Sequence, residues 1–165
     1  MSFQFSESQL ACSQALQLFL RDNITAQGPM TFSEYMQHAL YHAPLGYYRN
    51  GSIKFGATGD FITSPEISRL FSYCLARQCI PVLATCSSPS LLEVGAGSGQ
   101  LAVDLLNYLE KQQALPDAYY ILELSADLQQ RQRDLLAQKL PHFIDHVHWI
   151  TELPAAGFEG VVIAN

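Results

Sequence analysis

The sequence predicts an α/β fold, in which a helical N-terminal segment precedes a partial parallel sheet of the Rossmann-like type. Three observations predict it. In the second half, short apolar stretches alternate with longer amphipathic ones, which is typical of strands joined by helices in right-handed crossovers. A glycine-rich turn follows the first of these apolar stretches. The first half shows helical spacing without that alternation.

The length and composition fit one globular domain. Of the 165 residues, 48% are apolar and 15% are charged, so the chain can bury a core without disulfide or metal cross-links. The change of pattern divides the sequence into residues 1–87, a helical segment with a glycine- and aromatic-rich insert, and residues 88–165, the first half of a Rossmann-like domain.

Two helices are predicted at the start of the chain. A helix over 6–23 begins at a serine cap and ends before the turn signal Gly28-Pro29. Thr31 and Glu34 have the spacing of a capping box, which predicts a second helix over 32–41.

The rest of the first half contains an insert and a third helix. Residues 45–63 combine glycines and aromatic side chains, which suits loops and short strands. Ser64 and Pro65 then begin a helix that we expect to run through Gln78.

In the second half the alternation predicts helices over 100–113 and 126–140, and strands over 90–94, 118–124, 147–150 and 160–165. A parallel strand is normally buried on both faces, yet no residue follows Asn165 to cover the last one. Either another chain completes the sheet or the sequence is truncated, and we favour truncation. An uncovered strand edge also predicts self-association through that edge.

Composition excludes several partners and locations. Fifteen acidic and nine basic residues give a net charge of −6, so we expect no nucleic-acid partner. The apolar runs fall far short of the roughly 20 residues that span a bilayer, so we expect no membrane segment. No basic residue precedes Arg21, which fits neither a secretory signal nor a transit peptide and predicts a cytoplasmic location.

Metal binding is not expected either. The four cysteines form no C-x-x-C pair and are predicted to be buried thiols. His38 and His42 share a helix face, and three further histidines precede the third strand, but no cysteine or carboxylate joins them at ligand spacing.

The turn Gly95-Ala96-Gly97-Ser98-Gly99 is the strongest candidate for a binding site. Its glycines allow a ligand to touch the backbone, and the helix that follows offers free N–H groups to negative charge. The third glycine comes one residue too early for the dinucleotide pattern G-x-G-x-x-G, and Glu93 would repel a pyrophosphate. The anion Glu93 instead favours a ligand with a cationic amino group, such as S-adenosylmethionine (SAM).

Glu123 supports the same cofactor. It ends the second predicted strand, where an acidic side chain accepts hydrogen bonds from both hydroxyls of a ribose. An ordinary solvated strand end is the alternative interpretation of Glu123 by itself.

Further motifs carry a family resemblance. Together with the glycine turn, the segments 31–36, 44–48 and 59–68, the last reading G-D-F-I-T-S-P-E-I-S, resemble the family of SAM-dependent methyltransferases that includes the mitochondrial complex I assembly factor 7 and its bacterial relatives. The resemblance extends from about Gly28 to Asn165. In that family, further strands and a substrate-binding insertion follow the closing I-A-N.

The resemblance implies a class I methyltransferase fold and a protein arginine as the methyl acceptor. Transferred by position, it implies that SAM is bound by Glu93, Gly95, Gly97, Gly99 and Glu123, with Asp60, Phe61 and Thr63 lining the donor pocket. Glu66 is a weaker candidate for holding the guanidinium of the substrate, since an acid in the first turn of a helix also complements the helix dipole. No catalytic base is identified.

The expected function is therefore SAM-dependent methylation of a protein side chain, with this chain an incomplete form of the enzyme. A non-catalytic methyltransferase-like binding or assembly module is the alternative. A nicotinamide-dependent oxidoreductase is disfavoured by the glycine spacing and by Glu93.

Overall fold

The computed structural model describes residues 5–50, 63–154 and 157–165. Contacts divide the chain into two compact units, Met1–Ser52 and Ile53–Asn165. Among the described residues, no helix is both long enough and apolar enough to cross a membrane.

The first unit contains two helices, α1 (Glu7–Gln27) and α2 (Phe32–Tyr41). Both begin with a full capping box: the side chains of Ser6 and Thr31 each accept the backbone N–H of the residue three positions on, and their own backbone N–H groups donate to the side chain of that residue. The predicted bounds of α2 are confirmed. Helix α1 continues one turn beyond the prediction and ends at Gly28, whose φ of +92° suits glycine.

The predicted third helix is interrupted. It consists of α3 (Ser64–Ile67) and α4 (Arg69–Leu83), separated by Ser68 in an extended conformation. The Ser68 hydroxyl accepts the N–H of Leu70 at 3.1 Å and so caps α4. The expectation of one continuous helix through Gln78 was wrong because serine competes for backbone N–H groups and favours a new helix start.

The second unit is built on a parallel sheet, which confirms the α/β fold class. Its strands lie in the order β3-β2-β1-β4, and all neighbouring pairs are parallel. The elements are β1 (Ser90–Val94), α5 (Gln100–Lys111), β2 (Ala118–Leu122), α6 (Ala126–Lys139), a 3₁₀ turn (Ile144–His146), β3 (Val147–Ile150) and β4 (Gly160–Ala164). The predicted strands and helices are all present, several of them one or two residues shorter.

Strand order fixes where a ligand can bind. The chain passes from β1 to β2 and β3 on one side and returns to β4 on the other side of β1. The last residues of three strands are level, because Val94 pairs with Leu122 and with Ala164. The crevice at the carboxyl ends of β1 and β4 is therefore the topological switch point, where ligands of open α/β sheets bind.

The core lies between the sheet and helices α4 and α5. It includes Leu91 of β1, Leu105 of α5 and Ala76 of α4. The second unit, which begins at Ile53, therefore includes α3 and α4 as well as the sheet. The division at residue 87, which was drawn from the change of sequence pattern, stays a prediction.

The cysteines depart from expectation. Cys79 is buried, Cys12 and Cys86 are half-buried, and Cys74 is exposed. The prediction of a buried thiol was wrong for Cys74, because its position on α4 faces away from the sheet core that buries Ala76 and Cys79.

Candidate functional site

A pocket lies at the switch point. It is lined by the end of β1, the glycine turn, the start of α5, the residue after β4, and α3 with its cap. The lining residues are Thr63, Pro65, Glu66, Glu93, Gly95, Ala96, Gly97, Ser98, Leu101 and Asn165. Five residues predicted from the sequence thus share one pocket: Thr63, Glu66, Glu93, Gly95 and Gly97. Asp60 and Phe61 lie outside the described residues.

The glycine turn has the backbone that its sequence predicts. Gly95, Gly97 and Gly99 have φ values of +70°, +55° and +85°, a region that other residues rarely adopt. A Cβ on Gly95 would meet no atom within 4 Å, so the backbone there borders open space. Gly99 does not line the pocket; it begins α5 and packs against Gln132, whose Cγ would lie 3.3 Å from a Cβ at this position.

Gln132 on α6 holds the glycine turn from behind. Its side chain is fully buried, and its amide Nε2 donates to the carbonyl of Gly97 at 2.9 Å. Its Oε1 accepts the indole N–H of Trp149 at 2.9 Å. Sequence reasoning missed Gln132, since it is one of several glutamines in a polar helix and no motif distinguishes it.

Glu93 is buried at the end of β1, with 3% of its surface exposed. The hydroxyl of Tyr119, on the neighbouring strand β2, donates to Glu93 Oε2 at 2.7 Å. Burial disfavours the charged carboxylate and raises the pKa of Glu93 from 4.5 to about 7, although the Tyr119 hydrogen bond acts in the opposite direction. Glu93 therefore borders the pocket as a buried carboxyl group whose ionised form a cation beside it would favour.

Glu123 lies directly after β2, at the same edge of the sheet as Glu93. It is buried, and its Oε1 accepts the backbone N–H of Ser125 at 2.9 Å. Burial raises the pKa of Glu123, against the backbone hydrogen bond from Ser125. The structure does not include Glu123 in the lining of the pocket at β1.

Glu66 and Thr63 enter the site from α3. Thr63 precedes the helix, and Glu66 lies in its first turn. The Ser98 hydroxyl, in the glycine turn, donates to Glu66 Oε1. This hydrogen bond links α3 to the glycine turn.

The histidines do not form a ligand set. The rings of His38 and His42 pack against Phe19, with ring centroids 5.0 and 4.2 Å away. In residues 5–50, 63–154 and 157–165, no group of three or more His, Cys, Asp or Glu side chains is arranged to hold a metal ion.

A comparison with known proteins decides the family. A family model described as "Putative S-adenosyl-L-methionine-dependent methyltransferase" matches residues 74–165, more than half of the chain. The chain belongs to this methyltransferase family. The sequence resemblance and the class I fold are thereby confirmed.

Curated relatives and solved structures agree. The chain is 32% identical over 148 residues to the Danio rerio mitochondrial protein arginine methyltransferase NDUFAF7, covering 86% of this chain and 35% of the relative. It is 35% identical over 145 residues to the Drosophila melanogaster homologue, covering 84% and 33%. A Burkholderia thailandensis protein, solved with bound S-adenosyl-homocysteine, superposes with a TM-score of 0.89 at 38% identity, covering 99% of this chain and 43% of that one.

These matches also show how much of its relatives' length the chain covers and where those relatives are located. The chain spans about a third of the length of these curated relatives. The prediction of a cytoplasmic location was wrong, because the curated relatives are mitochondrial proteins. That prediction depended only on the residues before Arg21. The chain covers about a third of its relatives' length, so those residues do not determine a compartment.

Proposed function

We propose that this chain binds SAM at the switch-point pocket, and that the protein to which it belongs transfers the methyl group to a guanidinium of a protein arginine. One observation carries the proposal: the buried carboxyl of Glu93 and the glycine turn that begins α5 line the same pocket. The curated relatives, which are named protein arginine methyltransferases, support arginine as the methyl acceptor.

The described residues fit the two charged ends of SAM. The amino group of its methionine part is a cation, for which Glu93 offers a carboxylate beside the pocket. The carboxylate of the same part suits the start of α5, since the first N–H groups of a helix have no partner within the helix. The open space at Gly95 allows a ligand to approach the backbone there.

Glu123 is proposed to bind the ribose. Glu123 directly follows Leu122 of β2, and Asn165 of the pocket directly follows Ala164 of β4; Leu122 and Ala164 both pair with Val94, so Glu123 and Asn165 lie at the same level of the sheet. A carboxylate at this position accepts hydrogen bonds from two neighbouring hydroxyls. In this proposal Gly97 and Thr63 line the donor pocket, and Gly99 allows α5 to pack against Gln132.

Methyl transfer to arginine requires little covalent chemistry from the protein. SAM supplies an electrophilic methyl group: the nitrogen–carbon bond forms while the carbon–sulfur bond breaks, sulfur keeps the electron pair, and the nitrogen releases a proton to water. The residues of the chain then act by holding the donor and by keeping the two reactants in line. A carboxylate such as Glu66 is suited to orient the guanidinium.

Self-association is a separate proposal. Strand β4 is at one edge of the described sheet, and Val162 is exposed there. An edge with unpaired N–H and C=O groups pairs readily with another strand. We expect dimers or larger species by light scattering; a monomer at all concentrations would contradict this.

Calorimetric titration with SAM, and separately with NAD, tests the proposed function. We expect micromolar binding of SAM and none of NAD. Glu93→Gln removes the anion and should weaken SAM binding by about tenfold or more. The matched control is Glu110→Gln, which makes the same chemical change at an exposed position of α5.

A cation bound to Glu93 favours its ionised form, so SAM binding should strengthen as the pH rises toward about 7 and then level off. This dependence should disappear in Glu93→Gln. Absence of SAM binding to the folded chain would refute the donor site. SAM binding without methylation of any arginine peptide by the longer protein would instead favour the non-catalytic module.

A further inference from the structure

A second, more open cleft adjoins the donor pocket. It shares Pro65 and Glu66 with that pocket and continues between α3, the start of α4 and the start of α5, where Arg69, Gln100 and Asp104 line it. The cleft and the proposed donor site therefore meet at Pro65 and Glu66.

Asp104 is the unusual residue of this cleft. Its side chain is only 4% exposed, and one carboxylate oxygen, Oδ2, is buried without a hydrogen-bond partner among the described residues. A buried carboxylate oxygen without a donor is unfavourable, since desolvation of the charge is not offset. Most buried polar atoms are paired, so an unpaired oxygen on a side chain that lines a cleft indicates a missing donor.

Arg69 satisfies Asp104 only in part. Its Nε lies 3.4 Å from Asp104 Oδ1, which is longer than the usual range for a charged hydrogen bond. The Arg69 side chain is 73% exposed, and contacts of such side chains are weakened by solvent and by loss of side-chain entropy. Arg69 is therefore a weak occupant of a site whose second oxygen remains free.

We propose that this cleft binds a guanidinium group of the acceptor protein, which Asp104 receives in place of Arg69. The proposal rests on the proposed function, because it supplies the arginine acceptor. A guanidinium presents parallel N–H donors to both oxygens of a carboxylate, whereas the single Arg69 contact reaches one of them. The Glu66 carboxylate lines the same cleft and adds a second negative charge.

An acceptor cation fits these residues better than a metal ion does. Hard metal ions require several oxygen ligands in one shell, and the described part of the chain holds no cluster of three acidic, histidine or cysteine side chains arranged for one. Two carboxylates that line one cleft are instead suited to a planar, weakly hydrated cation.

The test is a peptide titration of the chain saturated with S-adenosyl-homocysteine. The probe is acetyl-Gly-Gly-Arg-Gly-Gly-amide, compared with the same peptide carrying lysine or citrulline. We expect the arginine peptide to bind most tightly, Asp104→Asn to weaken it by about tenfold or more, and Arg69→Gln to strengthen it. Asp127→Asn is the matched control, since Asp127 forms an exposed pair with Arg131.

The outcomes separate the two proposals. Failure of S-adenosyl-homocysteine and SAM to bind the folded chain would refute the donor site. Normal binding of both, together with equal peptide affinity in the wild type and Asp104→Asn, would overturn the cleft assignment. If Asp104→Asn does not fold, Arg69→Gln decides: unchanged or weaker binding of the arginine peptide would likewise overturn it.

Discussion

Helices α1 and α2 of the first unit are held in a different way from α5 of the second. Helices α1 and α2 each begin with a capping box and contain no buried residue. Helix α5 begins at the left-handed Gly99 without any side-chain cap, yet seven of its twelve residues are buried. Local hydrogen bonds therefore define the helices of the first unit, whereas packing defines α5 and, with it, the backbone that forms the candidate site.

Removing core volume from α5 should have the largest effect. Leu105 has no exposed surface, so Leu105→Ala should lower the free energy of unfolding by about 2–5 kcal/mol. Urea unfolding followed by the fluorescence of Trp149, the single tryptophan, measures the second unit. Leu10→Ala makes the same change on the exposed side of α1 and should alter the urea midpoint of the Trp149 transition little. Equal effects of the two substitutions would show that packing does not distinguish α5 from α1.

The buried acid of the second unit should make its stability depend on pH. Folding raises the pKa of Glu93 from 4.5 to about 7, so the folded state binds a proton that the unfolded state has lost in this interval. The contribution of this proton to the free energy of unfolding is about 3 kcal/mol in total. It is fully present below pH 4.5 and is lost as the pH rises through about 7.

Urea unfolding by Trp149 fluorescence at a series of pH values measures this loss. Glu93→Gln should flatten the dependence, because an amide does not titrate. A wild-type stability that rises across the same pH interval would show that another group dominates. The protection of α1 and α2 amides from hydrogen exchange should not change with the protonation of Glu93, because Glu93 lies in the second unit.

At the site itself, Glu123 should contribute affinity. If its carboxylate holds the ribose, Glu123→Ala should weaken SAM binding by about 1.5–3 kcal/mol, the usual value for hydrogen bonds to a charged group. Calorimetry measures the change. Glu152→Ala, an exposed position after β3, is the control. An unchanged dissociation constant for Glu123→Ala would remove this residue from the site.

The sequence predicted most of the fold because its signals are local. Capping-box spacing predicted the bounds of α2, and apolar alternation predicted the four strands of the described sheet. The break at Ser68 was missed, since a serine followed by apolar residues continues a helix as readily as it begins one.

Within the site, the motif residues were predictable and their supports were not. Glu93 and the glycines are close in sequence and have a recognisable spacing. Tyr119 and Gln132 act through contacts between distant elements, strand to strand and helix to turn. Asp104 is distinguished only by its burial beside a cleft, which no local pattern predicts. No periodicity distinguishes a glutamine that donates to Gly97 from its exposed neighbours.

Removing a local cap should have the smallest effect, and one confined to the first unit. The Thr31 hydroxyl accepts the N–H of Glu34 at 3.2 Å, and the Glu34 carboxylate accepts the N–H of Thr31 at 2.7 Å. Thr31→Ala should destabilise α2 by about 1 kcal/mol, while Thr31→Ser keeps the hydroxyl and should cost little. Hydrogen exchange should show faster exchange of α2 amides with α5 unchanged. Faster exchange in α5 would mean that the caps of the first unit also stabilise the second. That result would contradict the view that caps hold α1 and α2 while packing holds α5.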